Sequence, residues 1–171
     1  MAVDPKSLAL IYHPNPVLRQ IGEEVEPSDP TVQAVARKMI EIMLEFNGVG
    51  LAAPQVGLAW RLFVTRDPDN EEGGIAWINP VIDLLCDEVE SDEEGCLSLP
   101  EIRGDIRRSI NIRISGHDID GNHSSQESDG FMARVWQHEN DHLDGILIID
   151  KMSKMDKLVN RRHIRNLERA R

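Results

Sequence analysis

Nowhere in this sequence do about 18 apolar residues follow one another, so no segment is expected to span a membrane as a helix. The opening stretch MAVDPKSLALIYHP also lacks the basic start, the apolar core and the small-residue cleavage site of a secretory signal, which points to a cytoplasmic protein. Cysteine is scarce. Cys86 and Cys96 are the only two, and in a reducing compartment they are not expected to pair with each other. Positive charge is scarce as well: 19 Lys and Arg stand against 30 Asp and Glu, and the net charge of −11 argues against nucleic acid as the substrate. Aromatic residues make up only 4%, yet the hydrophobic fraction of 40% is that of an ordinary globular chain. A length of 171 residues suffices for one domain with a real core, and no repeat or low-complexity linker divides residues 1–171. Monomer is the default for so charged a surface. What positive charge there is gathers at one end. Residues 151–171 hold eight Lys and Arg against Asp156 and Glu168, which makes that segment +6 and the rest −17.

Hydrophobic spacing divides the chain into helices and strands. Val32, Val35, Ala36, Met39, Met43 and Phe46 recur at helical intervals, and Asp29 followed by Pro30 is a start signal, so a helix is expected over 30–46. The middle changes period. "RLFVT", "IAWIN" and "INIRI" are short apolar or alternating runs bounded by turn residues, as strands are. A second helix is expected over 128–143, with Gly145 as its C-terminal signal. "ILIID" is then expected as a short strand, and Ser153 with Asp156 as the capping box of a basic C-terminal helix in 151–171. The fold class is α+β: mostly antiparallel strands packed around a central helix, with a C-terminal helix.

That central helix carries "WQHENDHLDG". His138 and His142 are four residues apart and so project from one face a turn apart, and Phe131 and Val135 precede them on the same stripe. Glu139 lies to the side, where it can reach a water held by a metal without binding the metal, the place of a general base. An arbitrary H-x-x-x-H is most often two satisfied or exposed histidines; the intervening Glu139 shifts the balance toward a metal hydrolase. Such a site needs a third protein ligand. The H-E-x-x-H-x-x-G-x-x-H extension fails, because Ile148 stands where its last histidine belongs. Glu168 is the only downstream glutamate at a peptidase-like distance, and it sits in the basic terminal helix with no second motif around it. Cys96 remains, in "EEGCLSLP", flanked by Gly95 and by a Leu-Ser-Leu-Pro run expected to be extended.

With these stretches in view, the sequence resembles the peptide deformylases over nearly its whole length, in "GVGLAAPQ" (48–55), "EGCLS" (94–98) and "QHENDHL" (137–143). The resemblance covers all three motifs in order, without a departure inside any of them. Ser109 stands where many members have proline, and the acidic "DPDNEEGG" reads as a loop. What the resemblance implies is removal of the N-terminal formyl group from nascent N-formylmethionyl peptides, releasing formate. It implies Cys96, His138 and His142 as ligands of one divalent metal, ferrous iron in bacterial-type members, with zinc, nickel or cobalt able to take the same ligands. It further implies Glu139 as base, and Gln55 with the backbone N–H of Leu97 as oxyanion donors. The peptide is expected to add as a strand against Val49 and Gly50 on one side and Gly95 on the other, with Arg103 near its backbone. Leu97 and Val135 are candidates for the wall of the methionine pocket; both read equally well as plain core. The C-terminal helix is associated in such enzymes with docking at the ribosome, which the +6 segment would suit. The alternative is an H-E-x-x-H metallopeptidase acting on unformylated peptides.

Overall fold

Asp29 and Pro30 begin the first helix as their order predicts. The Asp29 carboxylate accepts the Thr31 N–H at 2.7 Å, and Pro30 takes the first position, where no N–H is needed. In the computed structural model, which describes residues 3–170, α1 runs Pro30–Glu45 and buries Val32, Val35, Ala36, Met39, Ile42 and Met43. Phe46 lies just past the helix and is 43% exposed, so the apolar stripe ends at Met43.

Seven strands follow: β1 (Gly50–Ala52), β2 (Leu62–Asp67), β3 (Asn70–Leu84), β4 (Val89–Cys96), β5 (Leu99–Ser109), β6 (Ile112–His117) and β7 (His123–Ser128). Five form one antiparallel sheet in the order β1-β2-β3-β6-β7, and β4 and β5 form a separate antiparallel pair. The first half of β2, Leu62 to Val64, is apolar without alternation because both its faces are covered. Leu62 and Val64 pack with Leu51, Ala76 and Ile78 against α1, while Phe63 turns to the opposite face with Ala52, Trp77, Ile112 and Ile114. The register places Phe63 opposite Trp77 and Val64 opposite Ala76, so like faces meet like. The second face is covered by α2 (Phe131–Leu143) through Ala133, Trp136 and Leu143, with the Trp136 ring edge-on to Trp77 at 5.8 Å. α2 also touches β5, so both sheets share it. This is the α+β arrangement of antiparallel strands around one helix.

Four local expectations give way. "ILIID" is not a strand: Ile148–Lys151 form a helical turn, α3, started by the Asp150 carboxylate accepting the Leu147 N–H at 2.8 Å. Leu147 and Ile148 are both buried with β5 residues in a third cluster, and so short an apolar run has no periodicity to tell the two states apart. Leu97 and Ser98 are not extended but form the turn between β4 and β5. The acidic "DPDNEEGG" is only briefly a loop, since β3 already begins at Asn70. α2 starts at Phe131 rather than 128, because Ser128 still belongs to β7.

Gly145 ends α2 as expected. Its φ of 71° is in the left-handed region, and its N–H donates to the His142 carbonyl at 3.2 Å. The basic segment folds as α4 (Lys154–Arg169), with Ser153 Oγ accepting the Asp156 N–H at 3.0 Å. Asn160 is its one buried residue and fastens it to β5, donating to the Arg103 carbonyl at 2.7 Å and accepting the Arg103 N–H at 3.4 Å. No helix among the described residues is long and apolar enough to cross a membrane.

Candidate metal centre

Three side chains from two elements converge. Cys96 closes β4, His138 and His142 stand one turn apart on α2, and one donor atom from each lies within 4.8 Å of the others. Among the described residues no other group of three meets that condition. The Cys96 Sγ is 3.4 Å from His142 Nε2, and the two imidazole rings stand 5.1 Å apart at 67°. Two nitrogens and a thiolate at this spacing fit a tetrahedral divalent ion that keeps one position open.

His138 is aimed by a carboxylate that the sequence reading left without a role. Glu94, two residues before Cys96 and nearly fully buried, accepts from or shares a proton with His138 Nδ1 at 2.8 Å, which leaves Nε2 for the centre. Arg108 grips the same carboxylate with two N–H groups, each at 2.9 Å, and Arg134 adds a third contact at 2.8 Å. Arg134 also donates to the carbonyls of Ile106 and Glu90, and Arg108 continues to Asp141, which meets Lys151. Burial works against the Glu94 charge, but His138 and Arg108 outweigh it and hold the carboxyl well below the usual range. The two histidines are pushed apart. Burial favours the neutral ring in both, yet Cys96 and Glu94 carry His138 well above its ordinary value, whereas His142, beside His138, falls well below it.

Glu139 is buried beside this group, and its Oε2 has no hydrogen-bond partner among the described residues. Burial raises its carboxyl to about 7, against the pull of His138. The carboxylate fits only because residue 50 is glycine: a Cβ there would stand 2.5 Å from Glu139 Oε1. Gln55 lies in the short helical turn Ala53–Val56 that follows β1. Its Oε1 accepts the Ala52 N–H at 2.9 Å, which fixes the amide so that Nε2 points to Ser98 Oγ at 3.2 Å and Cys96 Sγ at 3.5 Å. Being neutral, it donates toward the centre without competing for a cation.

All of this opens into a cleft of about 570 Å³ between the β1 edge and the β4–β5 pair. Of the residues singled out in the sequence, Val49, Gly50, Gln55, Gly95, Cys96, Leu97, Arg103, Val135, His138 and Glu139 all line it. His142 does not; it is buried behind Cys96. The Val49 carbonyl is already taken by the Arg66 N–H at 3.0 Å, so Val49 turns its peptide groups to β2 and Gly50, by alternation, turns its own to the open edge. Val135 is buried and Val49 and Arg103 are exposed. Glu94, Arg108 and Arg134 had no role assigned from the sequence, although Glu94 opens the "EGCLS" motif and Arg134 stands one turn before His138 on the same helix face.

Comparison with known proteins bears on this centre. The family described as polypeptide deformylase matches residues 7–158. A peptide deformylase of Thermotoga sp. (strain RQ2) is 43% identical over 156 residues, which is 91% of this chain and 93% of that protein. One from Rhodopirellula baltica is 41% identical over 149 residues, covering 86% of this chain and 74% of its own length. Among solved structures, peptide deformylase from Plasmodium falciparum superposes with a TM-score of 0.88 at 38% identity over 94% of this chain and 95% of that one. The Thermotoga maritima enzyme gives 0.80 at 42% identity over 85% and 97%.

Replacing the orienting carboxylate tests the assembly. Glu94→Gln is expected to weaken Zn²⁺ or Co²⁺ binding by about 10–100-fold, measured by chelator competition on folded protein. Affinity equal to that of the unaltered chain would remove Glu94 from the centre.

Proposed function

The chain belongs to the peptide deformylase family and is a hydrolase that removes the N-terminal formyl group of newly made proteins, and from that premise we propose which residues carry the reaction. The observation that supports the assignment is the convergence of Cys96, His138 and His142 beside the buried carboxylate of Glu139, whose Oε2 has no hydrogen-bond partner among the described residues. The three ligands hold one divalent ion. Ferrous iron is our choice for it; the thiolate and two imidazoles suit zinc, nickel or cobalt as well. When bound, the ion supplies the Lewis acidity that makes water a nucleophile near neutral pH.

The chain's own groups do the rest. Glu139 takes the proton of the attacking water at its free Oε2 and returns it to the departing amide nitrogen. The Gln55 amide and the Leu97 N–H face the oxygen on which negative charge develops, where one such donor is worth about 2.7–4 kcal/mol. The substrate backbone adds along the open edge of Gly50 and opposite Gly95, bonds that do not depend on its sequence. Arg103, held in place by Asn160, reaches that backbone from the rim, and Leu97 and Val135 receive the methionine side chain. The enzyme acts as a cytoplasmic monomer at the ribosome, with α4 as the docking element. Asn160 turns inward on α4, which leaves Arg161, Arg162 and Arg165 exposed together with Leu158 and Val159.

With iron-loaded protein kept free of oxygen, formate release from formyl-Met-Ala-Ser and none of acetate from acetyl-Met-Ala-Ser is the expected result. Glu139→Gln should lower that turnover by about 10²–10⁴-fold while metal content stays the same. Fragments from unformylated peptides, or full turnover in the variant, would refute the assignment. For the docking element, reversing Arg161, Arg162 and Arg165 to Glu is expected to abolish co-sedimentation with ribosomes at low salt. Unchanged co-sedimentation eliminates α4 as the contact.

A further inference from the structure

Behind the Gly50 edge stands an arginine that does not itself line the cleft. Phe46 to Gly50 form one wall of the opening, and Arg66 of β2 grips that wall from outside. Its Nε donates to the Gly48 carbonyl at 2.8 Å, its Nη2 to Asn47 Oδ1 at 3.4 Å and its Nη1 to the Glu71 carbonyl at 3.5 Å. Its backbone N–H goes to the Val49 carbonyl at 3.0 Å. In a chain with 30 Asp and Glu, all three side-chain bonds of this guanidinium go to neutral oxygens. Its planar fork fixes several acceptors at once instead of pairing charge.

The wall it grips is closely set at its other contacts. Asn47, just past α1, has a φ of 55° in the left-handed region, its N–H donates to the Leu44 carbonyl at 3.1 Å, and the Gly48 N–H reaches back to the Met43 carbonyl at 2.9 Å. Asparagine tolerates that conformation, and its side chain here also serves as an acceptor for Arg66. A Cβ at Gly48 would stand 2.8 Å from Leu97 Cδ1, and one at Gly50 2.5 Å from Glu139 Oε1. A displaced wall therefore collides with Leu97 and Glu139 or parts from them. Arg66 also decides which polar groups of the wall are free. The Gly48 carbonyl is taken by its side chain and the Val49 carbonyl by its backbone, which leaves the peptide groups of Gly50 for an added strand.

We propose that Arg66 is a positioning residue for the formylated peptide: it holds the 47–50 wall at the distance and register at which the Gly50 edge binds the substrate backbone. The inference rests on the deformylase assignment above and on the Gly50 edge as its binding strand. Arg66 belongs neither to the cleft lining nor to the metal group, so it acts through the wall alone. The bonds it supports lie away from the bond that is cut, and losing them weakens the ground state and the transition state alike.

Steady-state kinetics with formyl-Met-Ala-Ser test the role. Arg66→Met keeps an unbranched apolar stem and removes the donors. KM is expected to rise about tenfold, equivalent to about 1.4 kcal/mol, with kcat within about twofold of the unaltered enzyme. Arg66→Lys, with one ammonium to offer the Gly48 carbonyl, should recover part of that rise. KM does not depend on how much of the protein is folded, so a variant that merely folds poorly lowers the apparent kcat and leaves KM in place. An unchanged KM in Arg66→Met, or a loss confined to kcat, overturns the role of Arg66. No turnover of the tripeptide by the unaltered, metal-loaded enzyme would overturn the deformylase assignment instead.

Discussion

One buried carboxylate holds the rest in place. Glu94 belongs to β4, Arg108 to β5, and Arg134 and His138 to α2, so a single side chain joins the separate strand pair to the helix that the large sheet shares. A carboxylate removed from water is unfavourable unless its oxygens are fully paired, and breaking such a set by removing one member costs about 3–5 kcal/mol. The four groups therefore fix one another. Cys96 follows two residues on, past a shift of register between Gly95 and Cys96, and its Sγ also meets α2 at His142.

The large sheet does the complementary work. α1 and α2 cover its two faces, and β1, β2 and β3 send alternate side chains to each helix. With α2 pressed on one face, Glu139 comes to the end of β1, where only glycine at position 50 leaves room for it. β1 has a partner on one side only, and its other edge faces the β4–β5 pair across the cleft. The fold thus brings Glu139, together with Cys96 and His138 of the candidate metal group and the open β1 edge, to one opening from elements far apart in the chain.

Much of this was legible in the residues. The spacing of His138 and His142 pointed to two donors of the candidate group, the period of 30–46 gave α1 to within a residue, and the short apolar run "RLFVT" marked a strand. The motif around Cys96 pointed to the third candidate donor. What stayed hidden depended on distance or on polarity. Glu94 meets partners 14, 40 and 44 residues away, and nothing local to any of them announces the pairing. β4 and β7 are mostly polar and exposed, so they lack the alternation that betrays a half-buried strand. "ILIID" had apolar content without length, and a side-chain cap from Asp150 decided its state.

The central claim is that Cys96, held by the Glu94 cluster, completes a mixed sulfur and nitrogen centre with His138 and His142. X-ray absorption on protein loaded with a single equivalent of Zn²⁺ tests it directly. The account predicts one sulfur at about 2.3 Å and two imidazole nitrogens at about 2.0–2.1 Å. A shell of nitrogen and oxygen alone, with no sulfur scatterer, would contradict it.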